Sequence, residues 1–86
     1  MFKVTVKAIG NPDKGQDPNR PLYGVEPQTF IMQSIADLRD AVWDWQIDND
    51  IGSGNWLDSP VYKEDQYIGL MSYNGRIWAK EGEEYK

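Results

Sequence analysis

Residues 34–50 read SIADLRDAVWDWQIDND, and this segment determines the architecture that the rest of the chain can adopt. Ser34 followed three residues later by Asp37 is typical of a helix N-terminus, where the hydroxyl accepts a hydrogen bond from a free backbone N–H. At about 100° per residue, the apolar side chains that follow fall within one third of the circumference. They are Ile35, Leu38, Ala41, Val42 and Trp45. The pattern predicts a helix over residues 35–50 that packs this stripe on a sheet and ends before Gly52.

Two strands are predicted before this helix. Residues 2–9 alternate apolar and polar side chains, the period-2 pattern of a strand with one buried face. Residues 28–33 have a β-type composition and predict a second strand. Between the strands, residues 10–24 are rich in proline, glycine, Asn and Asp, which predicts a long loop that is either mobile or functional.

The strongest local signal after the helix is Asn74-Gly75, within a predicted hairpin over residues 67–80. Asn-Gly is the preferred pair for a two-residue type I′ turn, because both central residues of that turn need positive φ. A two-residue loop would place Met71 opposite Trp78.

The remaining segments complete one domain over residues 1–86, with short extended segments at 56–62 and a polar, frayed tail at 81–86. The predicted fold is α+β, a small antiparallel sheet of about four strands in the order β-β-α-β-β with one helix packed on one face. Its expected core contains Val4, Val6, Phe30, Leu38, Val42, Trp45, Leu70 and Ile77.

The composition favours a binding protein over an enzyme. The 86 residues carry 9 Lys and Arg against 14 Asp and Glu, for a net charge of -5, and contain no His and no Cys. Imidazole catalysis, thiol nucleophiles and disulfides are thereby excluded. We therefore expect a non-catalytic protein without cofactor. The acidic segment 48–58 departs from the EF-hand pattern at Gly52, Ser53 and Ser59, so no metal is expected either.

The hydropathy pattern predicts a cytoplasmic protein that does not enter the membrane. The longest unbroken apolar run is three residues, as in residues 30–32, against roughly 20 for a membrane-spanning helix. The first residues also lack the basic and apolar regions of a secretory signal. The negative net charge disfavours direct binding to nucleic acid.

One side of the predicted helix carries an acidic ridge, defined by Asp37, Asp40, Asp44 and Asp48. Spacings of three and four residues align these carboxylates opposite the core stripe, and the one basic residue, Arg39, points toward another side. Beside the ridge lies a second set of apolar residues, the apolar edge, consisting of Ala36, Trp43 and Ile47. The pattern is typical of a binding surface, with a solvated ridge and an edge covered by the long loop as the alternative.

A second candidate surface is one face of the hairpin, which we name the hairpin face. Side chains of the predicted strands would project together there: Tyr67, Met71, Tyr73, Arg76, Trp78 and Lys80. Aromatic side chains with nearby cations are typical of platforms that stack single-stranded nucleic acid, although ordinary cross-strand packing gives the same pattern.

The sequence thus predicts an acidic protein–protein interaction module, a regulator or inhibitor that binds a basic surface of a partner protein. The contacts would come from Asp37, Asp40, Trp43, Asp44, Ile47 and Asp48. The row of carboxylates could act like a phosphate track in the basic groove of a nucleic-acid-binding partner. Small size, acidity and the Ser72–Arg76 turn resemble accessory proteins of bacteriophages and mobile elements. We expect a monomer, although a dimer is left open. The alternative function is a single-stranded nucleic-acid-binding module that uses the hairpin face.

Overall fold

The computed structural model describes residues 1–79 and 83–85, which form a five-stranded antiparallel sheet and one α-helix. The strands are β1 (Phe2–Val6), β2 (Gln28–Met32), β3 (Ser59–Lys63), β4 (Gln66–Met71) and β5 (Ile77–Trp78), and helix α1 (Ile35–Asp48) lies between β2 and β3 in the chain. Across the sheet the order is β2-β1-β3-β4-β5. The predicted α+β fold is confirmed, with five strands in the described residues rather than about four.

Helix α1 begins where the sequence predicts. The Ser34 hydroxyl accepts a hydrogen bond from the Asp37 backbone N–H at 3.1 Å, which satisfies one of the free donors of the first turn. At the other end, the left-handed residue is Asp50, with φ of 53°, whereas Gly52 has φ of -94°. The helix therefore ends earlier than predicted, because an Asp tolerates the left-handed conformation that the sequence had assigned to glycine.

Strand β1 lies between β2 and β3 in the sheet, and one of its faces packs against α1. Val4 and Val6 are buried, while Lys3 and Thr5 project to the opposite face, as the alternation predicts. Beyond Val6 the strand continues only as isolated bridges, from Ala8 to Trp56 and from Ile9 to Pro21.

The two-residue turn with positive φ occurs between β3 and β4, not at Asn74-Gly75. Glu64 and Asp65 have φ of 47° and 67°, and they connect the paired residues Lys63 and Gln66. Both central residues therefore have the sign of φ that a type I′ turn requires.

A β-bulge in β4 changes which side chains share a face. Tyr67 pairs with Tyr62 and Gly69 pairs with Val61, so Ile68 is an extra residue in β4. The extra residue reverses the alternation, and Tyr67 and Met71 consequently lie on opposite faces of the sheet.

The β4–β5 connection is one residue longer than predicted. The Ser72 N–H donates to the Arg76 carbonyl at 2.8 Å, and the Gly75 N–H donates to the Ser72 carbonyl at 2.9 Å. Gly75 has φ of 86°, as in a three-residue loop that ends in a left-handed residue. Met71 therefore pairs with Ile77, and the predicted pairing with Trp78 is wrong.

The hydrophobic core lies between α1 and one face of the sheet. Of the predicted core residues, Phe30 is only half-buried and packs against the core. The prediction of Leu70 as a core residue is wrong, since its side chain is 37% exposed on the other face of the sheet. Met71, at 0% exposure, occupies the core instead. The other predicted core residues are buried: Val4, Val6, Leu38, Val42, Trp45 and Ile77.

Part of the predicted tail is ordered beside β5. The Tyr85 N–H donates to the Ile77 carbonyl at 2.8 Å, Glu84 bridges to Trp78, and Tyr85 packs against the core. Residues 83–85 of the predicted tail therefore pair with the β5 region, while residues 81, 82 and 86 lie outside the described residues. Over the described part of the chain, no helix has the length and apolar character needed to cross a membrane.

Replacing Leu38 by Ala should lower the free energy of unfolding by about 2–5 kcal/mol, because the side chain is buried in the core. Urea denaturation measures the change. Ile47→Ala on the exposed side of the same helix is the control and should change stability by less than about 0.5 kcal/mol. Equal losses for the two variants would contradict the assignment of the helical face.

The register of β4 and β5 is tested by two neighbouring residues. Met71→Ala should cost about 2–5 kcal/mol of stability, because Met71 lies in the core, whereas Leu70→Ala should cost less than about 1 kcal/mol. Thermal and urea unfolding of both variants measure the difference. A larger loss of stability for Leu70→Ala than for Met71→Ala would instead support the two-residue loop.

Candidate partner-binding site

The packing of α1 on the sheet directs the acidic ridge into solvent. Leu38, Val42 and Trp45 are buried on the sheet side, so the opposite side of the helix faces outward. All members of the ridge are exposed: Asp37, Asp40, Asp44 and Asp48. The structure thus places four carboxylates along one open side of the helix.

The charge of the ridge is uncompensated within the described residues. The ion pairs found in residues 1–79 and 83–85 join the N-terminal amine to Glu64 and Arg20 to Asp17, and none includes a ridge residue. Arg39 is directed away, because its Nε donates to the Gly75 carbonyl at 2.7 Å. Repulsion between neighbouring carboxylates at i,i+3 and i,i+4 spacing is therefore left in place.

The apolar edge is also open to solvent. Trp43 is 54% exposed and Ile47 is 61% exposed, and Ala36 lies on the same side of the helix. The alternative in which the loop over residues 10–24 covers these side chains is wrong. A large aromatic side chain left in water next to charges is typical of residues that anchor protein interfaces.

Two shallow clefts separate the apolar edge from the β4–β5 loop. Their volumes are about 200 and 260 Å³, and both are lined by Trp43, Gln46 and Tyr73. The floor is fixed by hydrogen bonds, since Gln46 Nε2 donates to the Tyr73 carbonyl and the Tyr73 hydroxyl donates to the Ile51 carbonyl, each at 3.1 Å. The clefts could receive side chains of a partner that contacts Trp43.

Gln46 and Tyr73 are the site residues that sequence reasoning missed. Gln46 lies just outside the arc of the core stripe, one turn after Val42, and it is buried. A polar side chain that is buried at the margin of an apolar stripe needs a hydrogen-bond partner, so its position was a weak signal for a contact with a nearby backbone. Tyr73 had been assigned to the hairpin face, and no feature of the sequence linked it to the helix.

The structure does not bring the hairpin face together. Met71 is buried on the helix side, and Tyr73 lies between α1 and the loop. The bulge and the longer loop cause this separation. Tyr67, Arg76 and Trp78 are exposed, while Lys80 lies outside the described residues.

The face of the sheet opposite α1 is open, and we name it the open sheet face. Cross-strand pairs place Lys3 beside Ile31 and Tyr62, and Tyr62 beside Tyr67. Leu70 pairs with Trp78 on the same face. The open sheet face is defined by Lys3, Thr5, Thr29, Ile31, Tyr62, Tyr67, Leu70 and Trp78.

The loop over residues 10–24 is held by a polar cluster that includes the buried Asn11 and Asn55. Asn55 Nδ2 donates to the Ile9 carbonyl at 2.9 Å and to Gln16 Oε1 at 3.1 Å, and the Asn11 N–H donates to the same Gln16 oxygen at 2.9 Å. A Cβ at Gly10 would overlap the Asp17 backbone, so the loop packs closely on itself. Of the two expectations for this segment, the bonds to Asn55 argue against free mobility.

Within residues 1–79 and 83–85, no group of three acidic side chains lies close enough together to hold a metal ion. Asn55, in the acidic segment that the sequence compared with a calcium loop, is used instead to anchor the long loop.

Comparison of the chain with protein-family models, with curated proteins and with solved structures finds no match. The functional assignment therefore rests on the geometry and chemistry of this chain alone.

Replacing Asn55 by Ala should lower the free energy of unfolding by about 1–3 kcal/mol, because hydrogen bonds of a side chain that is only 2% exposed are lost. Hydrogen exchange at the Asn11 amide, which donates to Gln16, should become faster in the same variant. The exposed Asn19→Ala is the control and should change neither measurement. Unchanged exchange in Asn55→Ala would show that the cluster does not hold the loop.

Proposed function

We propose that the protein is a non-catalytic regulator or inhibitor that binds a basic surface of another protein through the acidic ridge and the apolar edge. The observation that carries the proposal is the exposure of Trp43 and Ile47 beside four carboxylates that form no ion pair within the described residues. A helix that only covers the core would not need either feature on its outer side.

The two parts of the surface have different roles in this proposal. The ridge attracts a basic partner over a distance of about 8–10 Å at physiological salt and repels acidic proteins. Burial of Trp43 supplies most of the affinity, since aromatic residues with closely packed surroundings dominate interface energies. Within residues 1–79 and 83–85, the ridge carboxylates have no ion pair to break before they contact the partner.

The preferred partner has a groove lined by Lys and Arg. Ridge residues four apart rise about 6 Å along the helix, so the carboxylates form a regular linear array of negative charge. Such an array can occupy a groove that otherwise holds a nucleic-acid backbone. We therefore favour an inhibitor of a nucleic-acid-binding complex, of the kind encoded by phages and mobile elements, which acts in the cytoplasm.

A quantitative affinity capture from an extract of the source organism tests the proposal. Wild type should retain a basic protein that is released as salt increases, because exposed charge contacts are screened. Asp40→Lys/Asp44→Lys and Trp43→Ala should each reduce capture at least about tenfold, the change expected when an interface anchor worth about 1.4 kcal/mol or more is lost.

The charge-matched control is Asp13→Lys/Glu26→Lys, which makes the same change in net charge at exposed positions outside the helix. This variant should capture the partner as wild type does. Circular dichroism of every variant establishes that it is folded. Equal capture by wild type and both folded helix variants would refute the role of the helix and direct attention to residues 10–24.

A further inference from the structure

The two edges of the sheet differ in how they are protected. At the β5 edge, residues 83–85 lie alongside the strand, where the Tyr85 N–H donates to the Ile77 carbonyl. Strand β2 forms the opposite edge, and within the described residues it pairs with β1 alone. Its five residues, Gln28–Met32, include no charged residue, glycine or proline, and its register with β1 contains no bulge. The β2 edge therefore lacks the features by which natural sheets avoid pairing with another chain.

Thr29 and Ile31 present their backbone groups at the β2 edge. In an antiparallel pair, alternate residues exchange hydrogen bonds, and the residues between them direct their N–H and C=O groups to the other side. The Met1 carbonyl accepts from the Glu64 N–H next to β3, so odd-numbered residues of β1 bond toward β3 and even-numbered residues bond toward β2. The even-numbered residues of β1 pair with even-numbered residues of β2. Among the described residues, the N–H and C=O groups of Thr29 and Ile31 consequently have no strand to pair with.

A cleft of about 380 Å³ lies between the β2 edge and helix α1. The strand contributes two side chains and the helix contributes four: Gln28, Phe30, Ala41, Asp44, Trp45 and Asp48. Phe30 is half-buried and lies on the helix side of the sheet, since its partner Val4 is buried there. A residue opposite Phe30 on an added strand would point to the same side. The cleft can therefore receive an apolar side chain between Phe30 and Trp45.

The helix side of the cleft favours a cation. Asp44 and Asp48 are exposed there, one helical turn apart, and the ion pairs found within the described residues include neither carboxylate. The last turn of α1 contains no basic residue, so the partial negative charge of the helix C-terminus adds to that of the two carboxylates. Gln28 borders the same cleft, two residues before Phe30. Because residues two apart in a strand share a face, an added segment can present a cation beside Gln28 and an apolar side chain beside Phe30.

We propose that an extended segment of a partner protein adds antiparallel to β2 and carries a Lys or Arg two residues after an apolar side chain. Backbone hydrogen bonds to Thr29 and Ile31 hold the segment, as in other cases of strand addition, and the side chains select it. The cation contacts Asp44 and Asp48, which have the opposite charge. A second copy of this chain is disfavoured, because antiparallel pairing of two β2 strands leaves both helices on one face and brings their carboxylates together.

The β2 edge is a separate surface from the one in the proposed function, with which it shares only Asp44 and Asp48. Trp43 lines the two clefts on the other flank of α1, next to the β4–β5 loop. Strand addition therefore requires no contact with Trp43, and a partner that binds through Trp43 requires no contact with β2. The two proposals can consequently fail separately.

Titration of the isotope-labelled protein with the capped peptide TVTVTKT, followed by NMR, tests the proposal. When the second valine lies opposite Phe30 in antiparallel register, the lysine lies beside Gln28. Hydrogen exchange at the Thr29 and Ile31 amides should slow at least about tenfold at saturation, because both become hydrogen-bonded. N-methylation of the two threonines that flank this valine removes the N–H groups that face β2 and should weaken binding at least about fivefold. N-methylation of the valine itself, whose N–H faces away from β2, is the matched control and should leave binding unchanged.

Variants of the protein test the charge contacts. Asp44→Asn/Asp48→Asn should weaken binding of this peptide about tenfold, and replacing the peptide lysine by glutamate should weaken binding to wild type to a similar extent. Asp37→Asn/Asp40→Asn is the matched control, since it removes the same charge from ridge residues that do not line the cleft. Both this control and Trp43→Ala should bind the peptide as wild type does.

Three outcomes of the titration would overturn the proposal: no binding by wild type at about 2 mM peptide, equal weakening by the two kinds of N-methylation, or weakening in Trp43→Ala alone. Sedimentation equilibrium tests the other occupant. In Ile31→Pro the outward N–H of residue 31 is absent, a change that an edge strand tolerates. A mass that rises above 9.9 kDa with concentration in wild type but not in Ile31→Pro would show that a second copy occupies the edge, and it would also overturn the proposal.

Discussion

The packing of Leu38, Val42 and Trp45 against one face of the sheet is the contact on which the other features depend. Their buried partners on the sheet include Val4, Val6, Val61, Met71 and Ile77. A chain of 86 residues can bury only a limited core, so one layer of helix on one layer of sheet uses most of the apolar residues available. This contact also determines which surfaces are exposed. The acidic ridge lies on the outer side of the helix, and the open sheet face lies on the opposite side of the molecule.

The sequence predicted those elements whose signals are local. Three such signals agree with the structure: the cap at Ser34, the apolar stripe of α1 and the alternation of β1. Each depends only on residues that are close together in the sequence. The α+β fold followed from their order. The same helical geometry placed Trp43 and Ile47 outside the arc that the core requires, but it left open whether the long loop covers them; the structure leaves both exposed.

The faces of β4 and β5 could not be predicted, because the deciding features leave little trace in the sequence. Asn-Gly is compatible with loops of two or three residues, and Leu70 and Met71 are both apolar, so hydrophobicity did not distinguish the two registers. The bulge at Ile68 has no specific signature either. Together they divided the hairpin face between two sides of the sheet and placed Tyr73 beside the helix, where it forms part of the site.

The division of α1 into a buried and an outward side has a consequence for how such a protein can evolve. Only the buried positions are held by the fold, whereas the ridge and the apolar edge touch solvent. Substitutions at the outward positions change stability by small amounts. In the proposed function, recognition can therefore drift to a new partner, or follow an old one whose surface changes, while selection for folding continues to act on a separate set of residues.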